Sequence, residues 1–290
     1  MEWFTLLVEP TRIDATQLTE QLRRMLGKSN LGEACELRQV PLPGGTGIVC
    51  DMAASKQAKI RAQHALHQLS SVLAEAIIQA YEDRIIAHWV YKQIDPVNQE
   101  AVRAIAGHCR DLLGPSQDTS RFRALTSALE TYFTTETFLN IEGFIRFRAS
   151  GYSNQIKETV TYAVDEWIVD RQYQEFISLL KYFVDVQEAK VPFVHLVHRG
   201  NQQFMLLNAQ LQPLERIDSS AFALGMVDQE LHVEDVIVST LIHASPGKLY
   251  IHTSSPDQQV IRTIATIFDG RAEICRSCSI CIQNVHFPLT

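Results

Sequence analysis

From Ser55 to Val184 the apolar residues recur every three or four positions, and that periodicity decides most of what this chain can fold into. Ser55 can cap a long helix whose stripe runs Leu66, Leu69, Leu73, Ile77 and Ala80. Asp95-Pro96 supplies a capping carboxylate and a proline suited to a first helical position, and Gly114-Pro115 supplies a stop. Between them Ala101, Ile105 and Leu112 keep the helical spacing. Thr119 or Ser120 opens the next helix, which carries Phe122, Leu125, Leu129, Tyr132 and Phe133. Two more helices are predicted, one through Ile156, Val160, Val164 and Trp167, the other through Phe176, Leu179, Leu180 and Phe183. Helices this amphipathic bury their stripes against one another, so residues 53–190 are expected to form a helical bundle.

Strand signals flank this bundle. Trp3 to Val8 is a short apolar run ending at Glu9-Pro10, and Leu18, Leu22, Met25 and Leu26 then mark one helical face. Glu36 to Val40 and Thr46 to Met52 surround the turn Pro41-Leu42-Pro43-Gly44-Gly45. Residues 1–52 therefore read as a small α/β unit. From Val191-Pro192 the period changes again. Phe193 to His198 and Gln203 to Leu207 bracket a polar turn, as in a hairpin, with a third strand over Gln212 to Ile217. A helix follows over Val233 to His243. Lys248 to His252, Pro256 to Phe268 and Arg271 to Cys275 then read as strand, helix and strand, a parallel βαβ unit within a C-terminal α/β domain spanning 191–290. The expected class is α+β, with a central helical bundle between a small N-terminal α/β unit and a C-terminal α/β domain.

The chain has 290 residues, 46% of them hydrophobic and 20% charged, enough for a buried core. Its 26 basic and 33 acidic residues give a net charge of −7, so no nucleic acid partner is expected. No window approaches the about 18 apolar residues of a transmembrane segment, and the first ten residues do not read as an export signal. Six cysteines in that setting point to a reducing compartment.

Three of those cysteines stand together. In Cys275-Arg276-Ser277-Cys278-Ser279-Ile280-Cys281 two CxxC steps share the central residue. A CxxC turn can aim both sulfurs at one ion, and thiolate softness favours zinc, copper(I) or an iron–sulfur cluster. A tetrahedral site needs a fourth ligand. His286 is the nearest candidate in sequence, with Cys35, Cys50 and Cys109 more distant. The bacterial ferredoxin run would place a cysteine at Val285, and a zinc ribbon would need a second CxxC pair; neither is present. The alternatives are a thiol oxidoreductase, in which the CxxC lowers a thiol pKa, and three cysteines used as small apolar residues. His195, His198, His243 and His252 are scattered over the C-terminal domain and form no obvious ligand pair.

A second cluster is Phe138-Leu139-Asn140-Ile141-Glu142-Gly143-Phe144-Ile145-Arg146-Phe147-Arg148. In a helix Glu142 and Arg146 would form an i,i+4 pair. Arg146 and Arg148 could contact an anion or an acidic partner, or their stems could cover the rim of a core helix. Pro43-Gly44-Gly45-Thr46-Gly47 lacks the Gly-Lys-Ser/Thr ending of a phosphate loop, and no Ser-His-Asp, HExxH or GxSxG pattern is present.

Phe138 to Arg148, Glu175 to Val184, Lys248 to His252 and Arg271 to Cys278 together make the chain resemble the YtxC-like sporulation proteins of endospore-forming bacteria, over about residues 50 to 281. The resemblance implies a cytoplasmic accessory protein of sporulating cells, acting through protein partners, with no catalytic residues to transfer. It leaves the oligomeric state open. The chain is expected to be non-enzymatic, with zinc or an iron–sulfur cluster on the cysteine triplet as the candidate cofactor, and a thiol oxidoreductase or a metal-dependent sensor using the same cysteines as the alternative.

Overall fold

The computed structural model describes residues 1–290 apart from 96, 116–118, 200–203, 217–230, 276–277, 279–280 and 282–290, and apart from the side chains of 215–216 and 231–234. The fold is α+β. The chain divides into two compact units, Met1–Ile168 and Val169–Thr290.

The first unit opens with β1 (Glu2–Val8), α1 (Ala15–Lys28), β2 (Cys35–Leu42) and β3 (Gly45–Met52). Asp14 caps α1 by accepting from the amides of Thr16 and Gln17, as a short acidic side chain at that position can. The β2–β3 turn requires glycine. Gly44 sits at φ +90°, and a Cβ on Gly45 would lie 2.1 Å from the Val8 carbonyl oxygen. β3 pairs antiparallel with both β1 and β2.

Helices α2 (Lys56–Tyr91), α3 (Gln99–Leu113) and α4 (Ser120–Phe133) follow. Ser55 and Thr119 cap α2 and α4 as the sequence implies. The α3 start differs from expectation: Asn98 caps it by accepting from Ala101, while Asp95 accepts from Val97 in the turn before. Both side chains can accept from backbone amides, and the residue adjoining the first helical turn takes the cap.

Next come β4 (Phe138–Asn140) and α5 (Ile141–Phe147). The aromatic-rich segment is therefore not all helix. Its first three residues run parallel to β1, completing a sheet of order β2-β3-β1-β4. Phe4, Leu6 and Ile48 of this sheet share one core with Leu22 of α1, Leu69, Leu73 and Ile77 of α2, and Leu125 and Leu129 of α4. Each such side chain contributes about 1.5–3 kcal/mol by leaving water.

One charged group is buried there. Arg121 of α4 donates through Nε to Glu82 at 2.8 Å and through both terminal nitrogens to the carbonyls of Leu113 and Gly114, at the C-terminal end of α3.

Helix α6 (Ser150–Val186) is continuous, where the sequence suggests two helices. The stripe of Val160, Ala163 and Val164 is buried, residues 168–176 are exposed, and Ile177 and Val184 are buried again. The apolar pattern lapses, but no glycine or proline interrupts the backbone.

The second unit contains β5 (Val191–His198), β6 (Phe204–Leu207), β7 (Pro213–Arg216), α7 (Leu231–Ala244), β8 (Pro246–His252), α8 (Gln259–Ile267) and β9 (Ala272–Cys275). The sheet order is β7-β6-β5-β8-β9. β5 and β6 form the expected antiparallel hairpin, and β8-α8-β9 is the expected parallel βαβ unit. Val194, Leu196, Leu249 and Ile251 bury one face of the sheet against Ile177 and Val184 of α6, Ile237 and Leu241 of α7, and Ile261 and Ile264 of α8. Side chains alternate along a strand, so His195, Tyr250, His252 and Cys275 share the opposite face.

Candidate metal centre

The centre is built where two parallel strands end together. β8 and β9 pair in the register Leu249 with Ala272, Tyr250 with Glu273, Ile251 with Ile274 and His252 with Cys275. Leu249 and Ile251 are committed to the core, which turns His252 to the other face, and parallel register sets Cys275 beside it. The chain after β9 then brings Cys278 and Cys281 to the same place. Cys278 Sγ lies 3.4 Å and Cys281 Sγ 3.5 Å from His252 Nδ1. Cys278 and Cys281 are 3.7 Å apart at sulfur, and Cys281 and Cys275 are 3.9 Å apart. All four ligand atoms fall within 4.8 Å of one another.

These separations have a direct chemical meaning. Ligand bonds of about 2.3 Å for zinc–sulfur and about 2.0–2.1 Å for zinc–nitrogen, at tetrahedral angles, separate two sulfurs by about 3.8 Å and a sulfur from a nitrogen by about 3.5–3.6 Å. Four of the six separations in the group have those spacings and all six are within 4.8 Å, before any ion is considered. A polynuclear cluster distributes its thiolates over several irons and needs a wider cage. Three soft thiolates and one imidazole around a single point form a donor set suited to a mononuclear tetrahedral ion.

The local electrostatics are consistent with this. His252 is buried, and burial together with the adjacent His195 holds its imidazole below the ordinary histidine pKa. It is therefore a neutral donor at pH 7. Burial and the neighbouring thiols of Cys278 and Cys281 push the Cys275 thiol up to about 11. Thiols this close resist losing their protons together, and a divalent cation at their centre reverses that preference.

The cysteine triplet read from the sequence is thus brought together, and its fourth partner among the described residues is His252. The candidate His286 lies outside those residues. Cys35 lies on β2, Cys50 is buried on β3 and Cys109 is buried on α3, and none of the three belongs to the His252 group. Burial raises the Cys50 thiol pKa and pushes that of Cys109 up to about 11, so both behave as small apolar core residues. Nothing in the spacing of the four scattered histidines singles out His252. The usable signal was topological: in a βαβ unit with adjacent strands, the last residues of the two strands, His252 and Cys275, become neighbours.

Arg146 and Arg148 are exposed on and just after α5. Arg146 lies over the exposed Phe147 ring, 5.4 Å from its centroid. Glu142 pairs with Arg84 at 3.7 Å instead of forming the expected helical pair with Arg146.

No helix among the described residues is long and apolar enough to cross a membrane. No solved structure matches the chain. A Bacillus subtilis (strain 168) protein named "Uncharacterized protein YtxC" is 28% identical over 177 residues, covering 61% of this chain and 62% of that relative. The match therefore spans less than two thirds of the relative's length. A family model described as the YtxC-like family matches residues 67–273, which include His252 and stop just short of Cys275. With most of its length matched by that model, the chain belongs to the YtxC-like family.

Proposed function

We propose that this protein is a non-catalytic accessory protein of sporulating cells, whose C-terminal unit is secured by one zinc ion on His252, Cys275, Cys278 and Cys281. The observation that carries the metal reading is that four ligand atoms lie within 4.8 Å of one another, four of their six separations being 3.4 to 3.9 Å, close to those of one tetrahedral shell. Four protein ligands close such a shell and leave no position for substrate, so the role proposed for the ion is structural. It would fasten the segment after β9 to the end of β8, in a sheet where β9 is an edge strand. Edge strands are open to mispairing unless held or covered.

The sporulation setting rests on the resemblance of Phe138 to Arg148 and the other quoted segments to the YtxC-like proteins. Action through a protein partner in the cytoplasm is part of the same proposal. Thiol redox chemistry is the competing use of these cysteines, and the 3.7 Å approach of Cys278 to Cys281 would suit it. A histidine activates a neighbouring thiol when it is protonated, whereas burial and His195 hold His252 below the ordinary histidine pKa, and Cys275 is shifted upward.

Metal analysis and an absorption spectrum of anaerobically purified protein, beside a Cys275→Ser, Cys278→Ser, Cys281→Ser triple variant, test the metal reading. One zinc per chain, colourless and lost in the variant, is expected. A coloured protein with several irons would replace zinc with a cluster, and a metal-free protein would end the reading. For the cellular role, a clean deletion in a sporulating host should lower spore yield; unaltered spore counts would contradict it.

A further inference from the structure

An imidazole that presents Nδ1 to a cation has one remaining ring nitrogen, and in the neutral ring that nitrogen carries the proton. His252 has Nδ1 towards the sulfurs of Cys278 and Cys281, so a cation bound there would leave its Nε2 as the protonated one. That Nε2 lies 2.9 Å from Nδ1 of His195. With the metal bound, the direction of the bond follows: His252 Nε2–H would donate, His195 Nδ1 would accept, and His195 would keep its own proton on Nε2.

The His195 ring is itself held in place. It lies on β5 opposite Tyr250 of β8, stacked on that ring at 5.4 Å and 25°. Phe193, two residues earlier on the same face, meets its edge at 5.5 Å and 83°. The acceptor is thus fixed by two paired strands and two aromatic contacts, not by a loop.

We propose that His195 is a positioning residue for the metal centre: its Nδ1 selects the tautomer and ring angle of His252 that aim the Nδ1 lone pair at the cysteine triplet. This rests on the metal reading given above. It extends that site from β8 and β9 to β5, through a residue 57 positions away from the ligand it supports. Metal-bound histidines generally donate their second nitrogen to such an acceptor, and loss of the acceptor typically lowers metal affinity ten- to hundredfold.

The test uses two substitutions in the full chain, purified anaerobically. His195→Phe keeps a ring against Tyr250 and removes the acceptor. His195→Asn places a carbonyl oxygen near the position of Nδ1. Zinc affinity is measured by competition with a chromophoric chelator, and cobalt(II) substitution reports the coordination shell. His195→Phe should bind one zinc about ten- to hundredfold more weakly than the parent, with thiolate-to-cobalt absorption retained, and His195→Asn should recover most of the loss. Nitrogen-15 spectra of the zinc-loaded parent supply a readout that needs no variant. They should show His252 protonated at Nε2 and His195 unprotonated at Nδ1. A His195→Phe affinity within twofold of the parent, equal weakening in both variants, or the opposite tautomers would overturn the role of His195 while leaving the metal centre intact. A parent protein that binds no zinc would remove both.

Discussion

His252 and Cys275 are register partners at the matched ends of two parallel strands, one in β8 and the other in β9. Their adjacency is fixed by the sheet, whereas Cys278 and Cys281 must be folded onto them by the chain that follows. The fold therefore presents half of the proposed ligand set on paired strands, and Cys278 and Cys281 supply the rest.

His252→Ala should weaken zinc binding by at least about a hundredfold, more than loss of an outer acceptor normally costs. Cys278→Ser should do the same. Chelator competition on the purified variants checks both, and a loss below tenfold for His252→Ala would exclude His252 as a ligand.

Zinc affinity should rise with pH. Cys275 in the metal-free protein holds its proton up to about 11, so binding near neutrality must displace it, and each displaced proton steepens the dependence by tenfold per pH unit. His252, held below the ordinary histidine pKa, is already neutral at pH 7 and begins to compete for a proton only on the acid side. Without metal the sign differs. A thiol raised in the folded state above its ordinary value near 9 costs stability as pH climbs from about 9 through 11, because the unfolded chain releases its proton first. Zinc titrations at pH 6, 7 and 8 and alkaline unfolding of the metal-free form check the two directions.

Removing zinc should loosen the second unit selectively. With free zinc about a hundredfold above its Kd, binding contributes about 2.7 kcal/mol. Chelation should therefore accelerate amide exchange in β8 and β9 and leave β1 to β3 unchanged. Equal acceleration in the core of the first unit would contradict a local structural role.

Much of this architecture is legible in the sequence because amphipathic helices and short apolar strands announce their own periods. Ser55, and Thr119 of the Thr119–Ser120 pair, mark helix starts because a side-chain oxygen before an apolar stripe has one obvious use. Elsewhere tertiary contacts decide. Phe138–Asn140 becomes a strand because β1 offers it an open edge, a fact no local pattern contains. Helix α6 persists through its exposed middle because nothing there breaks it, although the apolar stripe lapses. The cysteine triplet was visible as a motif, but His252 and His195 enter the site only through strand register. Such partners remain invisible until the sheet order is known.

Arg121 provides a stability test in the first unit. Its side chain is 4% exposed, and it pairs with Glu82 while satisfying two carbonyls at the end of α3. Arg121→Ala leaves the half-buried Glu82 without its cation and the carbonyls of Leu113 and Gly114 without their donor, and should cost about 2–4 kcal/mol. Arg121→Lys cannot reproduce the forked geometry and should also lose stability. Urea unfolding measures both, and a change under 1 kcal/mol for Arg121→Ala would contradict the buried pairing.

The most direct measurement is X-ray absorption at the zinc edge on anaerobically purified, zinc-loaded protein. The account predicts one zinc per chain with three sulfurs at about 2.3 Å and one nitrogen at about 2.0–2.1 Å. A shell of oxygen and nitrogen alone, or the absence of stoichiometric zinc, would contradict it.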